Sequence, residues 1–207
     1  MTYSAALTAK LSGATPSQLG RWRRKGLVVP EVSAERPPLY SFRDVVALRA
    51  FVFLRARTSS QQLFKAWGSL SELDLEEVVD HPSTFKFGTD GKTIFVELPD
   101  EGVVDLTKRP GHSLARYTFE DLFAEFNDFR DSPVVDLTRP SSYLTVDPRM
   151  LGGFPVVEGT RVPYDSIVQL VDGATFTVED VPDVFPHVTV EQARDALAFS
   201  DSLPGVA

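Results

Sequence analysis

Residues Leu11 to Pro30 read LSGATPSQLGRWRRKGLVVP, and their folding decides the architecture of the first third of the chain. Thr15-Pro16 is a helix N-cap followed by proline at the first helical position, where a missing N–H costs nothing. The helix runs to about Lys25, and Gly26 stops it. Leu19 and Trp22 face inward, while Ser17, Arg21, Arg24 and Lys25 share the opposite side. Upstream, Ser4 to Leu11 predicts a weaker helix closed by a Ser12-Gly13-Ala14 turn. Two short helices joined by a tight turn follow from this, the second with a cationic face.

Downstream, two extended pieces, Leu27 to Val29 and Leu39 to Tyr40, flank a polar, proline-bearing loop with the pattern of a wing. Ser41 with Asp44 resembles a capping box opening an apolar helix through Val45, Leu48, Phe51, Val52 and Leu54. Leu63, Phe64, Trp67 and Leu70 predict another amphipathic helix.

The 207 residues carry a net charge of -8, which on its face argues against nucleic acid. The charge is unevenly distributed. From Met1 to Lys65 eleven basic residues stand against three acidic ones, whereas the remainder has 10 basic and 26 acidic. Such asymmetry predicts a nucleic-acid-facing N-terminal domain on an acidic body. No cysteine is present, which excludes disulfides, thiolate metal sites and thiol nucleophiles. With no apolar run of membrane-spanning length and no basic stretch leading into an apolar core at the N-terminus, a soluble, cytoplasmic protein is expected.

From about Ser83 the pattern becomes period-two. TFKFGTDGKTIFVEL predicts a hairpin turning at Asp90-Gly91, and Val103 to Thr107 a further strand. Ser113 to Arg130 reads as a helix with Phe119, Leu122, Phe123 and Phe126 as its core stripe. VVDLTKRP at Val103 to Pro110 recurs as VVDLTRP at Val134 to Pro140, consistent with equivalent edge strands. In the last segment, strands at Phe154 to Val157 and Thr160 to Val162 are expected to pair through Glu158-Gly159. Three short helices follow, starting at about Tyr164, Thr177 and Thr189; the last two have acidic residues in their first turns. The fold class expected is α+β and mainly helical. Residues 1–72 form a winged helix-turn-helix, 73–145 a small β-rich domain, and 146–207 a hairpin with three helices in a helix-turn-helix-like arrangement.

Little in the chain points to catalysis. In LGGFPVVEGTRVP, Leu151 to Pro163, five residues separate Gly153 from Gly159 and no lysine is present, so the stretch is a turning hairpin and not a phosphate loop. His81, His112 and His187 lie far apart, without metal-ligand spacing, and no G-x-S-x-G elbow appears. No catalytic residue, metal or cofactor is therefore assigned. The N-terminal constellation does carry a mechanism. Cations on a helix behind a tight turn can reach phosphates and guanine edges in the major groove. The expected DNA contacts are Ser17, Gln18, Arg21, Arg24 and Lys25, with Arg36 in the wing loop and Arg43 at the next helix.

These same residues, with LYSFRDVVALRAFVFLRAR after them, resemble the MerR-like winged helix-turn-helix, although every cysteine of its metal-sensing members is lacking. The stretch VDPRMLGGFPVVEGTRVPYDSIVQLVDG, continued by TVEDVPDVFPHVTVEQARDALAF, resembles the small domain of VapB-type antitoxins of bacterial, notably actinobacterial, toxin-antitoxin pairs. Its signature lies at Gly152, Gly153, Pro155, Val157, Gly159, Thr160, Arg161 and Pro163. Together the resemblances imply an antitoxin that holds a PIN-type, magnesium-dependent ribonuclease toxin and represses its own operon as a homodimer on operator DNA. They imply toxin-binding or dimerisation roles for Gly153, Pro155, Gly159, Thr160 and Arg161. Family antitoxins often block the toxin with a basic side chain on a tail. No basic residue follows Arg194, so such a contact would come from elsewhere in the chain or from beyond Ala207. The alternative is a ligand-responsive regulator without a toxin partner, sensing a small molecule through Ser83 to Arg139. A pure interaction module with no DNA role is the third.

Overall fold

The computed structural model describes residues 1–26, 28–57, 119–171, 173 and 175–205, together with the backbone of four strands between 86 and 116. Strand β1 (Tyr3–Ser4) leads into helix α1 (Ala5–Ser12), whose N-cap Ser4 accepts from the Leu7 N–H. Helix α2 (Pro16–Arg24) begins where the sequence predicts, with Thr15 and Gln18 closing a reciprocal capping box. Leu19 and Trp22 are buried, and Trp22 meets Phe51 edge-on at 4.6 Å between ring centroids. Such a pair stabilises by about 0.5–1.5 kcal/mol beyond the area it buries.

The loop after α2 is pinned differently from expectation. Strand β2 (Leu39–Tyr40) pairs antiparallel with β1; of the extended piece expected at Leu27 to Val29, Leu27 lies outside the described residues and Val28 and Val29 belong to no strand. A bridge between Ser33 and Leu39 closes the loop. The N-terminal residues thus supply the strand that a free wing would have found within itself.

Helix α3 (Phe42–Arg57) starts at the Ser41–Asp44 box: the Ser41 N–H donates to Asp44 Oδ2 (2.8 Å) and the Asp44 N–H to Ser41 Oγ (3.1 Å). Asp44 Oδ2 also accepts from the Glu31 N–H at 2.9 Å, tying the loop to the helix start. Every residue from Asp44 to Leu54 is buried, so α3 has no solvent face along that length. One side packs on α1; residues 122–137 cover another.

Arg49 holds that cover. It is fully buried and donates to five backbone carbonyls: Leu122 (2.6 Å), Leu11 (2.7 Å), Phe123 (3.1 Å), Ala124 (2.7 Å) and Val135 (2.7 Å). Burial lowers its pKa to about 10, opposed by the Asp136 charge. Because three of those carbonyls end helix α4 (Phe119–Phe123), the helix expected over Ser113 to Arg130 is only five residues long. The carbonyls that would carry it onward bond the guanidinium instead. Ala115–Arg116 is strand β6, and beyond α4 the chain forms a two-strand ribbon, β7 (Phe126–Asn127) with β8 (Pro133–Val134).

Strands β3 (Lys86–Thr89), β4 (Ile94–Leu98) and β5 (Gly102–Asp105) form the expected antiparallel meander, and β6 adds to the far edge of β3. The hairpin turn at Asp90-Gly91 and the helix expected over Leu63 to Leu70 lie outside the described residues. The repeated heptapeptide does not mark equivalent strands. Its first copy begins in β5, the sheet edge, whereas the second begins at Val134 in the separate ribbon. The second copy then turns on Asp136, whose Oδ1 accepts from the Thr138 and Arg139 N–H groups.

Strand β10 (Val156–Val157) pairs with β9 (Leu144–Thr145) on one side, and on the other an antiparallel bridge joins Val156 to Pro163, so the expected return pairs at a single bridge just past Thr160 to Val162. The chain does turn at Glu158-Gly159, but it returns in a tight loop, with the Val157 N–H on the Val162 carbonyl. Three helices follow: α5 (Tyr164–Leu170), α6 (Val181–Val184) after a short 3-10 turn capped at Thr177, and α7 (Val190–Asp201) capped at Thr189. The class is α+β, as expected. Residues of the 1–72, 73–145 and 146–207 segments share one buried cluster. A run of aromatic rings, Tyr3, Phe154, Tyr164 and Phe199, crosses it at centroid separations of 5.5, 5.7 and 5.1 Å.

Candidate nucleic-acid interface

Helix α2 reaches the surface along one side because its neighbours use the other: Gln18, Leu19 and Trp22 are buried, and Ser17, Arg21, Arg24 and Lys25 are exposed. Three arginines, Arg21, Arg23 and Arg24, occupy its last turn, where the helix dipole favours positive charge. Neither Arg21 nor Arg24 pairs with a carboxylate among the described residues. Their guanidinium forks are left to solvent, or to an anion from outside.

The loop between α2 and β2 forms the second wall of a shallow groove. Ser17, Arg21, Arg23 and Arg24 line it from the helix, and Arg36 and Tyr40 from the loop. Arg23 fixes the width by donating from Nη1 to the Ala34 carbonyl at 3.2 Å. At its base, Tyr40 is 2% exposed and its pKa is raised by burial, with Arg23 opposing and Asp44 adding to the shift. The expected contacts Ser17, Arg21, Arg24, Lys25 and Arg36 thus stand on one exposed face. Arg43 is exposed at the start of α3.

Gln18 is placed otherwise. Its Oε1 accepts from the Thr15 N–H at 2.7 Å and the residue is 7% exposed, so it builds the helix start from inside. The sequence names Gln18 among the DNA contacts alongside Ser17 and Arg21. The reciprocal box withdraws it. Arg23, in contrast, was counted only as charge, and it is the residue that joins helix to loop.

The Leu151 to Pro163 stretch divides into a buried and an exposed half. Gly152 and Gly153 have φ of 64° and 78°, and a Cβ on Gly153 would stand 2.5 Å from the Phe42 ring. The Tyr3 hydroxyl donates to the Gly152 carbonyl at 3.2 Å, and Phe154, Pro155, Val156 and Val157 are buried. Gly152 and Gly153 therefore join this end of the chain to the helix-turn-helix, with Pro155 buried next to them. Gly159, Thr160 and Arg161 stand at the outer tip. With Val162, Phe185 and His187 they line an open depression beside the exposed Val184. The Thr160 hydroxyl is used internally, donating to the Val157 carbonyl and accepting from the Val162 N–H.

Among the described residues no three His, Asp or Glu side chains converge as a metal site, and no helix is long and apolar enough to cross a membrane.

Comparison with known proteins divides the chain in the same two places. Residues 3–61 match the MerR HTH family regulatory protein, and residues 144–200 match a protein family of unknown function, DUF433. The N-terminal segment is thus similar to the MerR helix-turn-helix family. An uncharacterized protein of Sinorhizobium fredii (strain NBRC 101917 / NGR234), y4eO, is 36% identical over 70 residues, which is 33% of this chain and 31% of that protein. The chain thus spans about a third of the length of the curated relative it matches. No solved structure matches.

Proposed function

We propose that the protein is a transcriptional regulator that enters the major groove with α2 and carries, at its 144–200 end, the capture surface for a protein partner. In its finer form it is the antitoxin of a PIN-type ribonuclease toxin and represses its own operon as a homodimer. The observation that carries the DNA half is the exposed face of Arg21, Arg24 and Lys25 beside the Arg36 loop. Cations grouped on a short helix are positioned for phosphates, and a guanidinium reaching inward can bond O6 and N7 of guanine. The toxin half is supported by the resemblance of the Gly152 to Pro163 signature and by the exposed tip of Gly159, Thr160 and Arg161, with Val184 at its side. That tip belongs to a different part of the chain from α2, so partner capture and DNA binding draw on separate residues.

Changing Arg21 and Arg24 to Ala tests the DNA half. Binding of the full chain to the duplex upstream of its gene should weaken at least tenfold, and the log–log salt slope should fall by about 1.8 for two lost phosphate contacts. A double variant that binds as the parent does would remove α2 from the interface. Co-expression with the neighbouring PIN-type protein tests the other half: a stable complex and restored growth are expected. Failure of both would leave the regulator without a toxin partner.

A further inference from the structure

Beside α2 lies a basic–aromatic cluster contributed by the end of α3 and by the β7–β8 ribbon, which falls outside residues 3–61. Phe129 at the ribbon tip is 38% exposed. The Arg55 guanidinium carbon stands 3.8 Å from the centre of its ring, and that of Arg130 stands 5.1 Å away. A cation over an aromatic face is held in orientation by the ring quadrupole without using its N–H donors. Arg55 has a buried Nε with no hydrogen-bond partner among the described residues. Its pKa is lowered by burial and then by repulsion from Arg130 and from Arg21 of α2, with Asp128 opposing. Arg55 thus lies within electrostatic reach of Arg21 on the α2 face.

Two carboxylates share the ribbon tip, and both have internal partners. Asp128 Oδ1 accepts from the Arg130 N–H (2.8 Å) and the Ser132 N–H (2.9 Å), and Asp131 Oδ1 from the Asn127 amide (2.8 Å). These bonds shape the turn that presents Phe129 and Arg130. Arg55, repelled by both Arg130 and Arg21 beside an exposed ring, forms a site that an added anion would relieve. The neighbouring α2 face selects which anion, because a duplex offers a charge every ~1.7 Å along its axis.

We propose that Arg55, Phe129 and Arg130 form a second phosphate-contact site, at which the ribbon takes the DNA backbone flanking the groove that α2 enters. The inference rests on the DNA-binding reading above. Contacts of this kind add affinity and fix register without reading bases.

The test is a titration of the full chain, by fluorescence anisotropy, against its upstream duplex and a scrambled duplex at several salt concentrations. Arg130→Ala is expected to weaken binding to both duplexes several-fold. It should lower the salt slope by about 0.9 and leave the preference for the upstream duplex unchanged. Arg130→Lys should restore the slope. Arg139→Ala, which removes an equally formal charge paired to Glu158 outside the cluster, should change nothing. Parental affinity and slope in Arg130→Ala, with the parent binding DNA, would overturn this inference alone. A parent that binds no duplex would overturn the DNA reading and this site with it.

Discussion

Helices α2 and α7 begin alike and finish with opposite surfaces. Thr15 with Gln18 and Thr189 with Gln192 form the same reciprocal box, with Thr Oγ1 to glutamine N–H distances of 3.2 Å in both. Beyond the box, α2 turns Arg21 and Arg24 to solvent. Helix α7 uses its polar side for attachment: Asp195 accepts from the Ser141 hydroxyl (2.7 Å) and the Tyr143 N–H (2.9 Å), and Gln192 donates to the Glu158 carbonyl. The comparison separates two questions that a helix poses. A cap settles where it starts, from four residues. What the helix is for depends on whether the structure consumes its outward side chains: α2 leaves Arg21 and Arg24 to solvent, whereas α7 spends Asp195, Gln192 and Arg194 on internal partners.

The difference matters only if both helices rest on one framework, and the framework can be broken at Arg49. Arg49→Met would remove the guanidinium from the Leu11, Leu122, Ala124 and Val135 carbonyls, while Phe123 keeps the Leu137 N–H, and should cost about 4 kcal/mol, read as a lower urea midpoint. Both ends should unfold in a single transition. Two separable transitions, with the α7 end unmoved, would show that the regions do not share a core.

A smaller effect comes from the joint between the regions. Gly153→Ala meets both a left-handed φ and the Phe42 ring, and should destabilise by about 3 kcal/mol. Gly152→Ala has the same φ class and open space, so about 1–2 kcal/mol is expected. Equal losses in thermal melts would mean that Phe42 yields freely and the joint is loose.

The smallest effect sharpens the comparison most. Thr15→Ala and Thr189→Ala should each cost about 1 kcal/mol. Only Thr15→Ala should also weaken binding to the upstream duplex. Equal loss of DNA binding from both would contradict the division of roles between α2 and α7.

Much of this was legible in the sequence. Thr15-Pro16, Ser41 with Asp44 and Thr189 with Gln192 each start a helix where they stand, and Thr177 with Asp180 starts the 3-10 turn before α6, because a cap is satisfied within four residues. The cationic side of α2 followed from helical spacing. Arg49 did not: it sits at the centre of an apolar run, Val45 to Leu54, and the one available signal was its incongruity there. Its burial ends α4 at Phe123, and so the helix expected to reach Arg130 gives way to a ribbon that presents Phe129 and Arg130. The two copies of VVDLT show the same limit, since one heptapeptide enters a sheet edge and the other a ribbon and an Asp136 turn. Gln18, Gly153 and Pro155, named from the sequence as contact residues, are buried in the structure, which no local pattern showed.

By itself the sequence determined the helix starts, the turns and the excess of positive charge in the first sixty-five residues, all of which depend on neighbours a few positions away. The tertiary structure alone decided which polar groups are consumed. It gave Tyr3 to β2 as a strand partner, Arg49 to distant carbonyls and Asp195 to Ser141, and left Arg21 and Arg24 outward. Buried donors and acceptors must be paired, and their partners come from chain segments that no local pattern brings together.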